Sequence, residues 1–132
     1  MSTANKYIRH GFSTVRPYLY GSLDLVDFVK QVFGAEEVER VADNTGAHVE
    51  VQLGDSLIAL DLGDHSHSDS QWLTRSFVYV YVEDVDAVYQ RALQAGATSL
   101  EEPRDKPYQE RNAGFKDTFG NIWGISTYTG SH

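Results

Sequence analysis

The chain contains no cysteine, and that single absence removes disulfide bonds, thiolate metal sites and a cysteine nucleophile together. It fits a reducing compartment, so a cytoplasmic location is expected. No apolar run reaches the roughly 18 residues needed to cross a bilayer. The opening MSTANKYIRHGF lacks the basic start and apolar core of an export signal, so a membrane is not an expected partner. Basic residues are also scarce: 11 Lys and Arg stand against 19 Asp and Glu, a formal net charge of −8. That balance opposes a polyanion and attracts cations, so nucleic acid is not an expected partner either. The sequence has no Gly-rich phosphate loop, no serine nucleophile elbow and no zinc-finger spacing.

What is present suits one folded unit. At 132 residues, with 41% hydrophobic and 12% aromatic side chains, the chain is long enough to bury a core without a disulfide or a structural metal. It is expected to form a single domain over residues 1–132. Two segments resemble each other: DLVDFVKQVFGAEE from Asp24 and DAVYQRALQAGATS from Asp86, which align Val26 with Val88, Gly34 with Gly96 and Ala35 with Ala97. Each reads as a short amphipathic helix opened by an aspartate in an N-cap role and closed by a glycine.

The flanks repeat as well. Alternating strands VRPYLY (from Val15) and FVYVYV (from Phe77) precede the helices. After the first helix come EEVERVA, AHVEVQL and LIALDL; after the second come TSLEE, a less regular YQERNAGFKD and IWGIST. The pattern is βαβββ twice, with module one at about 12–63 and module two at about 75–129. The predicted class is α+β, with helices on one face of a curved mixed sheet and a shared cavity on the other.

The stretches RPYLY, DFVKQVFGAEE, AHVEVQLGDS, VYVEDVDAVYQRALQAGAT and EEPRDKPYQERNAGFKDTFGNIWG together resemble the vicinal oxygen chelate superfamily, the glyoxalase, bleomycin-resistance and extradiol-dioxygenase group, and within it the PhnB-like branch. The resemblance covers nearly the full chain. It implies paired modules assembled as a homodimer, with a small-molecule ligand or substrate held in the cavity, but it does not fix one activity. In metal-using relatives the first and last strand of each module supply His, Gln or Glu ligands. Alignment puts those four places at Arg16, Ala59, Phe77 and Gly124. Arginine repels a cation and the other three offer no donor, so neither a metal nor another cofactor is expected, and Gly124 is read as leaving space for a ligand.

Period-two alternation assigns the faces. Val15, Leu19, Val49, Val51, Leu53, Ile58, Leu60, Leu62, Val78, Val80, Val82, Trp123 and Ile125 should face the helices. The cavity face then holds Arg16, Tyr18, Tyr20, His48, Glu50, Gln52, Ala59, Asp61, Phe77, Tyr79, Tyr81, Ile122, Gly124 and Ser126.

His48 and Glu50, two apart on a strand, are either a general base with its orienting carboxylate or a hydrogen-bonded polar pair; PhnB-like relatives often carry this His-x-Glu step. Asp61 is a third anionic candidate. Tyr18, Tyr20, Tyr79 and Tyr81 form either a stacking surface for a ligand or ordinary cross-strand and dimer contacts. Arg16 among tyrosines needs an anion, either Glu50 or a ligand carboxylate. The resemblance puts Arg111 near the cavity mouth; surface charge is the alternative. His65 and His67 read as solvated loop and Trp72 as the anchor of that loop.

The sequence therefore supports a metal-independent protein that binds a small aromatic or cationic molecule in an aromatic-lined cavity. The alternative is a lyase, isomerase or cyclase using His48 as base, Glu50 to orient it and Arg16 or a tyrosine to stabilise negative charge. A third reading is a dimeric interaction module with a vestigial pocket.

Overall fold

The computed structural model describes residues 6–63 and 76–130; His65, His67 and Trp72 lie outside the described residues. A 3₁₀ turn at Arg9–Gly11 precedes two modules of the same order. Module one is β1 (Tyr18–Gly21), α1 (Asp24–Phe33), β2 (Glu36–Ala42), β3 (Gly46–Leu53) and β4 (Ser56–Gly63). Module two is β5 (Phe77–Tyr81), α2 (Val85–Gln94), β6 (Thr98–Lys106), β7 (Glu110–Lys116) and β8 (Ile122–Tyr128). Each forms a four-stranded mixed sheet, ordered β1-β4-β3-β2 and β5-β8-β7-β6. In both, the first strand runs parallel to the last and the other pairings are antiparallel. The fold is α+β, two βαβββ modules, as the repeat predicted.

The aliphatic faces behave as the alternation requires. Leu19, Val49, Val51, Ile58, Leu60, Leu62, Val80, Trp123 and Ile125 are all buried beneath helices that present Leu25, Val26, Phe28, Val29 and Val32 from α1 and Val85, Val88, Tyr89 and Ala92 from α2. The two modules share this core. Phe28 and Phe33 of α1 lie against Phe115 and Trp123 of the second sheet, with ring centroids 4.9–6.4 Å apart, and Arg91 of α2 donates to the carbonyl of Val32 at 3.2 Å.

Three local expectations need correction. Strand β1 begins at Tyr18, and Val15 is 78% exposed instead of facing a helix. Pro17 brings no N–H to the ladder, although its carbonyl still accepts from Ala59 N at 2.9 Å. Asp24 is not an N-cap: α1 is preceded by Leu23 without a side-chain cap, and Ser22 Oγ accepts from Asp24 N at 3.3 Å. Asp86 is not one either, because Asp84, two residues earlier, accepts from Ala87 N at 3.1 Å. At the other end of α1 the glycine reading is correct: Gly34 is left-handed at φ 69° and its N–H reaches Lys30 O at 2.9 Å.

The turn between β7 and β8 ties the modules together. Asp117, 2% exposed, accepts from Phe119 N (2.9 Å), Asn121 N (3.0 Å), Asn121 Nδ2 (3.0 Å) and Trp123 Nε1 (3.0 Å). Asn121 Nδ2 also donates to Tyr20 O at 3.1 Å, and Ser76 Oγ to Tyr18 O at 2.8 Å. The outward carbonyls of edge strand β1 are thus satisfied by side chains from module two.

Removing the carboxylate strands buried donors on Trp123 and Asn121. Asp117→Ala should therefore lower the unfolding free energy by about 3 kcal/mol or more, read as a shifted urea midpoint at unchanged slope. A loss below about 1 kcal/mol would mean the turn holds without it.

Candidate functional site

Two polar clusters occupy the sheet faces opposite the helices. On the first sheet the register sets Tyr18 beside Ala59 and Glu50, and Tyr20 beside Asp61 and His48. Glu50 is the centre of this face, with its side chain only 3% exposed. Arg16 Nη1 donates to it at 2.5 Å, Arg9 Nε lies 3.3 Å from its other oxygen, and His48 Nε2 sits 3.2 Å from that same oxygen. The anion that Arg16 requires is therefore Glu50.

Arg16 does more than pair. Its Nη2 donates to the carbonyls of Arg9 (3.1 Å), Phe12 (3.0 Å) and Ser13 (3.2 Å), folding the segment before β1 back over the sheet. That segment bends through left-handed backbone at His10 (φ 68°) and Ser13 (φ 67°), conformations that non-glycine residues seldom adopt. Arg9 also grips Glu39 through two nitrogens, and His10 Nε2 lies 3.0 Å from Glu39. Hydrogen bonds from Arg9 hold the Glu39 carboxyl below the usual range. Burial, and then Asp61, raise the Tyr20 hydroxyl. Tyr18 packs on the His48 ring at 5.8 Å, and Gln52 turns its amide to the carbonyl of Gly54 at 3.0 Å.

The second face is built differently. Tyr79 stands beside Gly124 and Gly114, and Tyr81 beside Ser126 and Asn112. The Glu110 carboxylate accepts from Tyr79 OH (2.5 Å), Tyr81 OH (2.7 Å) and Ser126 Oγ (2.9 Å). These hydroxyls hold its pKa below the ordinary glutamate value, Tyr79 contributing most. In return the Tyr81 hydroxyl is raised mainly by Glu110, and the Tyr79 hydroxyl by burial first and Glu110 second. The two rings meet edge to face, centroids 5.5 Å apart at 86°. Asn112 Nδ2 donates to Tyr108 OH at 2.9 Å. A concavity of about 500 Å³ is lined by Tyr81, Val82, Glu110 and Tyr128.

Gly124 does not leave space for a ligand, contrary to the sequence reading. A Cβ there would meet the Tyr79 ring at 2.8 and 3.3 Å and the Phe77 ring at 3.4 Å. The glycine exists because the Tyr79 ring lies across its backbone. Arg111 is displaced too: alternation along β7 puts it on the opposite side from Glu110 and Asn112. There it bonds Asp86 (2.8 and 2.9 Å) and Asp105 (3.3 Å), which raise its pKa far above the usual range. It lines a separate concavity of about 820 Å³ beside the start of α2. That space is larger; within it Arg111 is paired with Asp86, Arg91 donates to the Val32 carbonyl and Asp84 caps α2.

The donor set at the superfamily's metal places does not fit a metal. Arg16 is committed to Glu50, Ala59 and Phe77 offer no donor, and the Tyr79 ring covers Gly124. Among the described residues, the ligand atoms of His10, Glu39 and Glu50 do lie within 4.8 Å of one another. Both carboxylates there already carry a guanidinium.

Sequence reasoning missed Arg9, His10, Glu39, Glu110 and Asn112. Glu110, Asn112 and Gly114 alternate with Arg111, Ala113 and Phe115, the same two-residue signal that singled out His48 and Glu50. Reading that stretch as irregular hid it.

The family model described as Glyoxalase/Bleomycin resistance protein/Dioxygenase superfamily matches residues 24–125. An uncharacterized protein of Mycobacterium bovis is 30% identical over 109 residues, 76% of this chain and 72% of that one. Among solved structures, TioX from Micromonospora sp. ML1 superposes with a TM-score of 0.70 at 24% identity, covering 86% of this chain and 95% of TioX. A glyoxalase/bleomycin resistance protein/dioxygenase family enzyme from Burkholderia phytofirmans PsJN gives 0.69 at 22% identity, with 86% and 95% coverage. At these identities the two structures speak for the fold alone. With the family model spanning most of the chain and both modules recovered in the structure, the protein belongs to the glyoxalase/bleomycin resistance protein/dioxygenase superfamily.

Proposed function

We propose that the protein binds a small organic ligand without the metal of its metal-using relatives, on the aromatic face formed by Phe77, Tyr79, Tyr81 and Glu110. The observation that carries this reading is the Tyr79 ring lying over Gly124: where a relative would project a metal ligand, this chain has a flat apolar wall. Phe77, Tyr79 and Tyr81 are 68%, 42% and 62% exposed, a cost in apolar exposure that a bound partner offsets. Arg16, Tyr18, Tyr20, Gln52 and Asp61 contribute the opposite-sheet lining in this reading. The His48–Glu50 step supports a place in the PhnB-like branch, and the site is taken to lie within one cytoplasmic domain of residues 1–132.

A homodimer is part of the same proposal. The first face carries two arginines, one of them, Arg9, half-exposed, whereas the second carries an anion ringed by aromatics. Those arginines are already matched by Glu39 and Glu50, so what a second copy would cover is the exposed aromatic surface.

One observation favours a second reading as an enzyme: His48 is within hydrogen-bond reach of Glu50 and partly open to solvent. Against it stands the crowding on Glu50, whose oxygens already serve Arg16 and Arg9.

Four measurements test these readings. Elemental analysis of protein purified without chelator should find no stoichiometric divalent metal; an equivalent of zinc, nickel, iron or manganese lost on changing Glu50 or Tyr79 would overturn metal independence. Titration with indole, followed by amide chemical shifts, should saturate at residues of β5, β7 and β8, and an absence of saturable shifts with any small organic probe would count against the binding reading. Light scattering at tens of micromolar should report twice the chain mass, and a monomer would end the dimer proposal. Finally, His48→Gln should fold and bind as the parent does. If a substrate is found and this variant loses on the order of a hundredfold or more in rate, the acid/base alternative takes over.

A further inference from the structure

Several carboxylates on and beside the sheets are met by cations, and Glu110 is held by hydroxyls instead. Glu50 and Glu39 are held by arginines, Glu37 by Arg40 and Lys30, Glu101 by Lys106, and Asp86 and Asp105 by Arg111. Glu110 forms no ion pair among the described residues, and all three of its partners are neutral hydroxyls. Those hydroxyls use the two lone-pair directions of Oε1 and one of Oε2, leaving one direction on Oε2 open. They also fix the rings: with Tyr79 and Tyr81 tethered through their oxygens and set at 86° to one another, two aromatic walls meet at a corner with a negative charge at its base.

We infer that this corner is a recognition site for an alkylated ammonium group, the cationic part of a larger organic ligand, seated against Tyr79, Tyr81 and Glu110. The inference rests on the reading of this face as the ligand site and adds the chemistry that the ligand must carry. Three features support it together. The ring faces present the negative side of their quadrupoles to a cation. The carboxylate supplies the counter-charge that the chain itself leaves unmatched. The adjoining concavity bounded by Tyr81, Val82, Glu110 and Tyr128 gives room for the remainder of the molecule. An alkylated ammonium suits the corner better than a primary one, because it spreads its charge over methyl groups that pack on rings. A primary ammonium needs three acceptors, and Glu110 has little capacity left. The excess of acidic residues over the whole chain acts in the same direction at longer range.

The pH dependence follows with a definite sign. The three hydroxyls stabilise the ionised form of Glu110 and lower its pKa from 4.5. Cation binding should therefore persist at neutral pH and be lost on acidification, at a lower pH than an unperturbed glutamate would give.

The test uses choline and its neutral carbon isostere, 3,3-dimethyl-1-butanol, as probes of the full chain by amide chemical-shift titration. Choline should saturate with shifts centred on Tyr79, Tyr81, Glu110 and Ser126 and bind at least tenfold more tightly than the isostere. Glu110→Gln, which keeps an acceptor for the tyrosines but removes the charge, should weaken choline at least tenfold and weaken the neutral isostere and indole by much less. Tyr81→Leu, at an exposed position that the fold does not need, should weaken both. Equal binding of choline and isostere would overturn the inference, as would parent-like choline binding by Glu110→Gln, choline shifts mapped to another surface, or no saturable choline shift at tens of millimolar. If indole saturates on this face in any of those cases, only the cationic specificity fails. If neither indole nor choline binds, the reading of the face as a ligand site fails with it.

Discussion

The carboxylate of Asp117 is the interaction on which the arrangement of both modules depends. It is buried, and four donors converge on it from the turn, from Asn121 and from the indole of Trp123. A buried carboxylate without such partners is strongly unfavourable, whereas one that accepts several hydrogen bonds fixes everything attached to those donors. Here the attached groups are the largest side chain of the core and, through Asn121, the edge of β1 in the other module. Trp123 in turn packs on Phe28 and Phe33, so α1 of the first module is positioned by a turn near the end of the second.

From that common frame the two polar faces have taken opposite solutions to the same problem of charge near an apolar core. The first face is closed on itself: Glu50 and Glu39 are met by Arg16 and Arg9, with His10 and His48 at the edges. Buried ion pairs of this kind add little net stability but hold geometry, and here they hold the segment before β1 across the sheet. The second face stabilises its anion with hydroxyls instead of cations, which keeps Glu110 ionised without cancelling its charge. Its surroundings are aromatic and exposed. The second thus sets an anion without a cation partner beside exposed rings, a combination with which to recognise something else.

How much of this was legible in the sequence follows from which forces local pattern records. Alternation and helical period encode burial, so the modules and the core residues from Leu19 to Ile125 could be read directly; they also showed that Arg16 needs an anion, with Glu50 as one of two candidates. Hydrogen bonds between distant residues leave no period. Nothing near Asp84 in the sequence distinguishes it from Asp86 as a cap, and nothing near Arg9 announces that Arg16 will gather its carbonyl. Glu110 is the intermediate case. Its spacing from Asn112 was visible, but its meaning came from Tyr79 and Tyr81 on a strand two positions away in the sheet, where each tyrosine reaches its carboxylate.

Gly124 shows why an absent side chain is hard to interpret from sequence. A glycine at a position that faces a cavity has two opposite meanings: room for a ligand, or room already taken by a neighbour. The alignment cannot separate them, because both remove the same Cβ. What separates them is the residue opposite in the register. Tyr79 pairs with Gly124, and a tyrosine that must turn its hydroxyl toward Glu110 lays its ring over the intervening backbone, at a distance no Cβ would allow. The glycine, the tyrosine and the glutamate thus form one unit. A side chain at 124 would push the ring aside, release its hydroxyl from Glu110 and open the corner between the two tyrosines. The missing side chain at 124 and the construction of the aromatic face are therefore two sides of the same close contact.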